Sequence, residues 1–144
     1  QKYWEICRTR IDTISSGPMI RYCGVVEHAE VIDVLSKYDL FLLPTLGENY
    51  GHVIAESLRA GTPVMISDQT PWRDLDQSGA GWVLPLSEKE KWVEAIKAMA
   101  SDCGTHVNSL RGKVKRYAKR VFSDDHTRTA SKSLFLNAGS RLHE

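Results

Sequence analysis

Glu48 and Glu56 are the two carboxylates whose placement invites chemistry, eight residues apart in Gly47-Glu48-Asn49-Tyr50-Gly51-His52-Val53-Ile54-Ala55-Glu56. An ionised carboxylate only accepts hydrogen bonds, and its two oxygens suit a pair of hydroxyls. Sugars and riboses carry vicinal hydroxyls, so two such groups a short way apart can each grip one ring. Between them, Tyr50, Gly51 and His52 open a predicted helix. The free N–H groups and partial positive charge of a helix start suit phosphate oxygens. Gly51 lets backbone approach a ligand closely. Histidine is a common acid or base near neutral pH, but His52 at a helix start reads as a neighbour of phosphate. Spacing alone favours a plainer reading, a solvated loop glutamate and a surface helix glutamate. What distinguishes the pair is its setting.

That setting is strand, loop, helix, turn, strand. Leu40 to Leu43 is a four-residue apolar run closed by Pro44, too short for a helix and predicted to be a buried strand. A helix follows from about Tyr50 to Ala60. Gly61-Thr62-Pro63 stops it and starts a second strand, Val64 to Ile66. Glu48 therefore lies at the carboxyl end of a strand, where open parallel α/β sheets bind ligands. Glu56 lies one helical turn beyond His52.

The rest of the chain continues the alternation. Residues 1–15 read as a helix with Tyr3 or Trp4, Cys7, Ile11 and Ile14 at helical spacing, ended by Ser15-Ser16-Gly17-Pro18. Met19 to Cys23 is predicted as a short strand closed by Gly24, with Val25 and Val26 beginning a loop. Glu30 to Lys37 follows as an amphipathic helix. Thr70 is expected to cap a one-turn helix with Pro71 at its first position, and Thr70-Pro71-Trp72 reads as loop packing ahead of a ligand-cleft lining. Trp82 to Leu84 is a last strand. Ser87 and Glu90 spell a capping box for a helix from Glu88 to about Ser101, with Trp92, Val93, Ile96 and Met99 inward. A helix from His106 to Val121 turns Val107, Leu110, Val114, Tyr117 and Val121 inward. It turns Arg111, Lys113, Lys115, Arg116, Lys119 and Arg120 outward, a solvated face in the first instance and a membrane-docking face in the second. Ser123 is expected to cap a final helix from Asp124 to about Leu136.

Four strands alternating with helices predict one α/β domain over residues 1–144, a Rossmann-like parallel sheet with helices on both faces. Doubly wound nucleotide-binding sheets usually have five or six strands. The sheet is either unusually small or the later part of a larger one, and an uncovered edge or face predicts self-association.

Composition narrows the function classes. The chain has 144 residues, 42% hydrophobic and 26% charged, with a net charge of +1. This is an ordinary globular balance without the basic footprint of a nucleic-acid binder. No apolar run approaches the roughly 20 residues that span a bilayer, and no signal peptide is visible. Cys7, Cys23 and Cys103 form no Cys-x-x-Cys pair and read as reduced small hydrophobes of a cytoplasmic protein, ahead of zinc or disulfide chemistry. His28, His106, His126 and His143 show no metal-ligand spacing. The absence of Gly-x-Gly-x-x-Gly after a strand argues against a nicotinamide cofactor.

The run from Pro44 to Asp68, PTLGENYGHVIAESLRAGTPVMISD, resembles the donor-site segment of retaining GT-B glycosyltransferases of group 1 (family 4). Pro44-Thr45 matches the opening Pro-Ser of that segment. Glu48 and Glu56 match its Glu-x7-Glu pair, Asn49-Tyr50-Gly51 its Gly-Phe-Gly, and Ala60 to Val64 its Ala-x-Gly-x-Pro-Val. Ile20 to Val26 resembles the family's strand ending in Phe-x-Gly-x-Val, and Ser36 to Asp39 the helix exit before the Pro-Ser strand. Val121-Phe122-Ser123 resembles its Phe-Ser-Trp, with Asp124 in place of Trp.

The resemblance implies the incomplete C-terminal half of a GT-B enzyme that transfers a hexose from a nucleotide diphosphate sugar to a glycan or lipid-linked glycan. It implies that Glu48 is the catalytic candidate, holding donor-sugar hydroxyls by orientation and electrostatics rather than as a general base. Glu56 would hold the ribose hydroxyls. Backbone N–H groups of Asn49, Tyr50, Gly51 and His52 would face sugar and diphosphate, and Gly24, Val25 and Val26 would flank the base. It implies no metal and no cofactor beyond the donor, no nucleic-acid partner, and a cytoplasmic protein, peripheral on the inner face of the membrane in one version. The family's cationic Gly-Arg and Lys strand, its Gly-x-Gly strand and its acceptor-binding N-terminal domain have no match here. The chain is therefore expected to be inactive alone. The runners-up are a non-catalytic Rossmann-like interaction module and a fragment of a GT-B nucleotide-sugar epimerase.

Overall fold

A computed structural model describes residues 2–14, 17, 19–101 and 104–123. Its elements are α1 (Lys2–Asp12), a 3-10 turn (His28–Glu30), α2 (Val31–Ser36), β1 (Phe41–Leu43), α3 (His52–Ala60), β2 (Val64–Ser67), α4 (Leu75–Ser78), β3 (Gly81–Leu84), α5 (Lys89–Ala100) and α6 (Thr105–Phe122). The three strands form one parallel sheet in the order β1-β2-β3, with Phe41 opposite Val64 and Ile66 opposite Val83. The α/β class and the parallel, Rossmann-like sheet agree with the sequence.

Side-chain alternation explains how this small sheet finds a core. Phe41, Leu43, Val64, Ile66 and Val83 gather with Ile54, Ala55 and Leu58 of α3, Trp72 and Leu75 around α4, and Val114 and Tyr117 of α6. Trp82, one residue from Val83 and so on the opposite side of β3, joins Leu40, Met99 of α5, and Val107 and Leu110 of α6 in a second cluster. A single apolar stripe on α6 thus serves both clusters. Gly81 lets β3 approach β2: a Cβ there would fall 2.1 Å from the Val64 carbonyl oxygen.

Local chemistry sets the limits of α3. Gly61 takes a left-handed conformation, its N–H bonds to the Leu58 carbonyl and the Thr62 N–H to that of Ser57, which is a Schellman ending. Thr62 is fully buried, and its hydroxyl donates to the Leu35 carbonyl at 2.7 Å, fastening the end of α2 to the turn before β2. The Arg111 guanidinium on α6 reinforces this corner by bonding the Ser36 and Tyr38 carbonyls.

Several expectations are corrected. The predicted strand from Met19 to Cys23 is absent: the segment is irregular and exposed, with no neighbouring strand recorded against it, so among the described residues the sheet has three strands rather than four. The first helix ends at Asp12 and buries none of its side chains. Ser87 does not cap α5; Glu88 holds the cap position and makes no side-chain bond there. On α5, Trp92 and Met99 are buried while Val93 and Ile96 are exposed. The short helix expected at Pro71 forms at Leu75, and Thr70 is buried with its hydroxyl unpartnered among the described residues. Ser123 ends α6 in an extended conformation. The final helix predicted from Asp124, together with Cys103, lies outside the described residues.

Candidate functional site

The site begins with a short strand that must stop abruptly. After β1, Thr45 turns the chain, its hydroxyl donating to the Gly47 carbonyl at 2.9 Å. Ser67, at the end of β2, donates to the Thr45 carbonyl at 2.6 Å. The Glu48 N–H bonds to the Gln69 carbonyl at 3.2 Å. The loop after β2 therefore clamps the loop after β1 from one side, and Glu48 is left with an exposed side chain at the carboxyl end of the sheet.

Trp72 is the anchor of this clamp. Its indole N–H donates to the Tyr50 carbonyl at 2.6 Å, and its ring packs against those of Tyr50 and Phe122 at 5.7 and 6.0 Å between centroids. Tyr50 also lies 4.9 Å from the His52 ring. Gly51 then precedes α3 with a φ of 76°. A Cβ at Gly51 would meet Ile54 at 2.7 Å and the Trp72 nitrogen at 3.5 Å, so glycine is required both by conformation and by space. The Gly51 carbonyl takes the N–H groups of Ile54 and Ala55. Among the described residues no acceptor is recorded for the N–H groups of Asn49, Tyr50, Gly51 and His52. They lie between the two glutamates in the chain, with Asn49, Tyr50 and His52 exposed and Gly51 buried.

Glu56 differs from Glu48. Its side chain is 16% exposed, and its Oε1 lies 3.4 Å from Nδ1 of His28, which is 93% exposed. The structure thus brings the 3-10 turn after Gly24, Val25 and Val26 to the Glu56 carboxylate. Gly24, Val25 and Val26 themselves are exposed, Val25 at 92%, and Gly24 has a φ of 79°. His28 carried no signal in the sequence; it reaches Glu56 because α2 packs on α3.

The expectation that the sequence contains no Asp-x-Asp metal motif is corrected at residues 74–76. Asp74-Leu75-Asp76 has the Asp-x-Asp spacing of some metal-binding glycosyl-transfer sites, but both carboxylates are employed in holding the fold together. Asp74 accepts from the Tyr117 hydroxyl at 2.6 Å and from Arg120 at 3.2 Å, and Asp76 accepts from the Val83 N–H at 3.0 Å. Burial, followed by the hydrogen bond and charge of Asp74, pushes the Tyr117 phenol well above its ordinary range, against a smaller opposing effect of Arg120. Among the described residues no three His, Cys, Asp or Glu side chains gather as a metal site. No described helix is long and apolar enough to cross a membrane.

A small parallel sheet flanked by helices, with an exposed carboxylate, four N–H groups without a recorded acceptor and a half-buried carboxylate after its first strand, defines a Rossmann-like α/β unit. The chain belongs to the group 1 glycosyltransferases: the family described as "Glycosyl transferases group 1" matches residues 5–102. It is 30% identical over 109 residues to a phosphatidyl-myo-inositol mannosyltransferase of Mycolicibacterium smegmatis, covering 74% of this chain and 27% of that protein. It is 30% identical over 82 residues to the protein of the same name from Mycobacterium leprae, covering 56% of this chain and 22% of the relative. A D-inositol 3-phosphate glycosyltransferase of Nocardioides is 22% identical over 130 residues, 90% of this chain and 28% of the relative. The chain thus spans about a quarter of the length of these curated relatives. No solved structure gives a significant match.

Proposed function

We propose that this chain is the donor-binding part of a retaining glycosyltransferase, which transfers a hexose from a nucleotide diphosphate sugar to a glycan or lipid-linked acceptor. The observation that carries this reading is the order of groups at the carboxyl end of β1: exposed Glu48, four N–H groups without a recorded acceptor, then half-buried Glu56. Glu48 takes hydroxyls of the sugar. The N–H groups of Asn49 to His52 face the sugar and diphosphate, where they stabilise charge on the leaving group. Glu56 takes the ribose hydroxyls and exchanges its His28 contact for them. The proximity of the 3-10 turn to Glu56 supports Gly24, Val25 and Val26 as neighbours of the base. Cys7 and Cys23 are both free, which suits a reducing cytoplasm.

The acceptors named for the curated relatives, inositol lipids and inositol phosphate, support an alcohol acceptor carried on a polyol or lipid. Sugar transfer by the whole enzyme tests the reading. Each of Glu48→Gln and Glu56→Gln removes hydrogen bonds to a charged group, worth about 1.5–3 kcal/mol, so transfer falls roughly 10- to 100-fold. Full transfer by both variants overturns it.

A further inference from the structure

Charge in this molecule is distributed unevenly. α6 contains six of the nineteen Lys and Arg residues and none of the eighteen Asp and Glu, leaving thirteen cations against eighteen anions elsewhere. A net charge of +1 therefore conceals one strongly basic helix on an otherwise acidic chain.

The two ends of this basic row are tied down, Arg111 lying 3.5 Å from Asp39 and Arg120 3.2 Å from Asp74. Lys113, Lys115, Arg116 and Lys119 are exposed and have no carboxylate partner among the described residues. Their aliphatic stems are supported: Lys115 passes over Gly61 and Lys113 over Gly79, with an ideal Cβ at either glycine 3.0–3.1 Å from the lysine carbons. The Lys113 Nζ itself lies 3.5 Å from that Cβ position at Gly79, and all four side chains remain exposed to solvent. Lys113, Arg116 and Arg120 line a shallow cavity of about 200 Å³ on one flank of α6. Lys115 and Lys119, joined by Arg59 of α3, line one of about 500 Å³ on the other, floored by Ala118 and Phe122.

We infer that the outer face of α6 is a docking surface for a membrane rich in anionic lipid. A ridge of 18 residues, about 27 Å long, with cations on both flanks and an apolar floor on one, matches a plane of negative headgroups. The acidic remainder of the chain orients the molecule with this face toward the membrane. Single-stranded nucleic acid requires exposed aromatic rings on which bases stack. Here the aromatic rings of α6 are withdrawn: Tyr117 is buried, and Phe122 is half-buried beneath the Arg59 guanidinium at 4.3 Å. Neither Glu48 nor Glu56 lines this surface, and the inference does not rest on the donor-site reading.

Vesicle co-sedimentation of the chain tests it, using phosphatidylcholine alone and phosphatidylcholine with one-third phosphatidylglycerol. Binding is expected only to the anionic vesicles, and is lost as salt is raised. Lys113→Gln, Lys115→Gln, Arg116→Gln and Lys119→Gln keep most of the stem and remove the charge. Each is expected to weaken binding about fivefold, and all four together to abolish it. Circular dichroism of the quadruple variant confirms that it is folded. Lys89→Gln with Lys97→Gln on α5 is expected to bind as the parent does, and weakening by this pair as large as that from two α6 changes would contradict the assignment. Equal binding to neutral vesicles, no binding to anionic vesicles at low salt, or undiminished binding by the folded quadruple variant overturns it. Tighter binding of a single-stranded RNA oligonucleotide than of the vesicles through the same four residues does so as well.

Discussion

The first 50 residues and the stretch from Gly51 to Tyr117 are built from similar apolar patterns and have opposite fates. Among the described residues none before Gly51 is buried, and every buried side chain lies between Gly51 and Tyr117. α1 carries Trp4, Cys7 and Ile11 at spacings as helical as those of Val107, Leu110, Val114 and Tyr117 on α6, yet none of the three is buried and Trp4 is 40% exposed. Periodicity identifies which side of an element is apolar, and a partner decides whether that side is buried. α6 meets the sheet and α3. α1 meets chiefly the irregular segment beyond it, through Trp4 and Tyr22 at 4.7 Å.

The most severe way to test this contrast is to damage each region equally. Gly81→Ala forces a Cβ into the Val64 backbone and is expected to cost about 3 kcal/mol. Leu58→Ala empties a fully buried site and is expected to cost about 2–5 kcal/mol. Ile6→Ala on α1 removes a comparable side chain and is expected to cost less than about 0.5 kcal/mol. Urea denaturation midpoints measure all three. A large loss at Ile6 would show that α1 is part of the core.

A finer test lies at the α6–α4 junction. Tyr117→Phe deletes the phenol bonded to Asp74 and is expected to cost about 1 kcal/mol. Folding raises the phenol pKa, so the unfolded chain loses that proton first. The stabilisation is complete below the ordinary value of 10.0 and declines as pH rises past it. Denaturation midpoints from pH 8 to 11 should therefore fall more steeply for the parent than for Tyr117→Phe, and parallel profiles would remove this role. The smallest effect concerns β1, which ends the sheet with its outer edge unpaired in the described residues and Leu42 exposed. Sedimentation velocity should show association rising with concentration, reduced by Leu42→Lys. A strictly monomeric chain at all concentrations would dismiss the open edge as an interface.

Much of the better-packed region was legible in the sequence because its signals are local. Gly61-Thr62-Pro63 announces a helix stop and strand start, and the structure answers with a Schellman ending and β2. Pro44 closes the apolar run of β1 as expected, but the strand runs Phe41–Leu43 and, against expectation, is not buried, Leu42 being exposed because β1 lies at the sheet edge among the described residues. Met19 to Cys23 was misread because a strand needs a neighbour to accept its hydrogen bonds, and that neighbour cannot be inferred from five residues. The caps at Thr70 and Ser87 were misread for a related reason: Thr70 was drawn into the interior, and Glu88 took the position assigned to Ser87. In the candidate site, Glu48, Gly51 and Glu56 were marked by their setting after β1 and by resemblance to a motif, where spacing alone did not distinguish them. The Trp72 bond to Tyr50 and the approach of His28 to Glu56 depend on packing between elements and left no trace in spacing.

The two glutamates form the sharpest pair of all, one exposed and one half-buried, and their assigned roles can be separated by calorimetric titration of the whole enzyme. A nucleotide diphosphate sugar and the bare nucleotide diphosphate are each titrated into Glu48→Gln and Glu56→Gln. Glu56→Gln is expected to weaken both ligands about tenfold or more, and Glu48→Gln to weaken the nucleotide sugar alone. If both variants bind both ligands as the parent does, the carboxylates at the end of β1 are not a donor site and the central claim is contradicted.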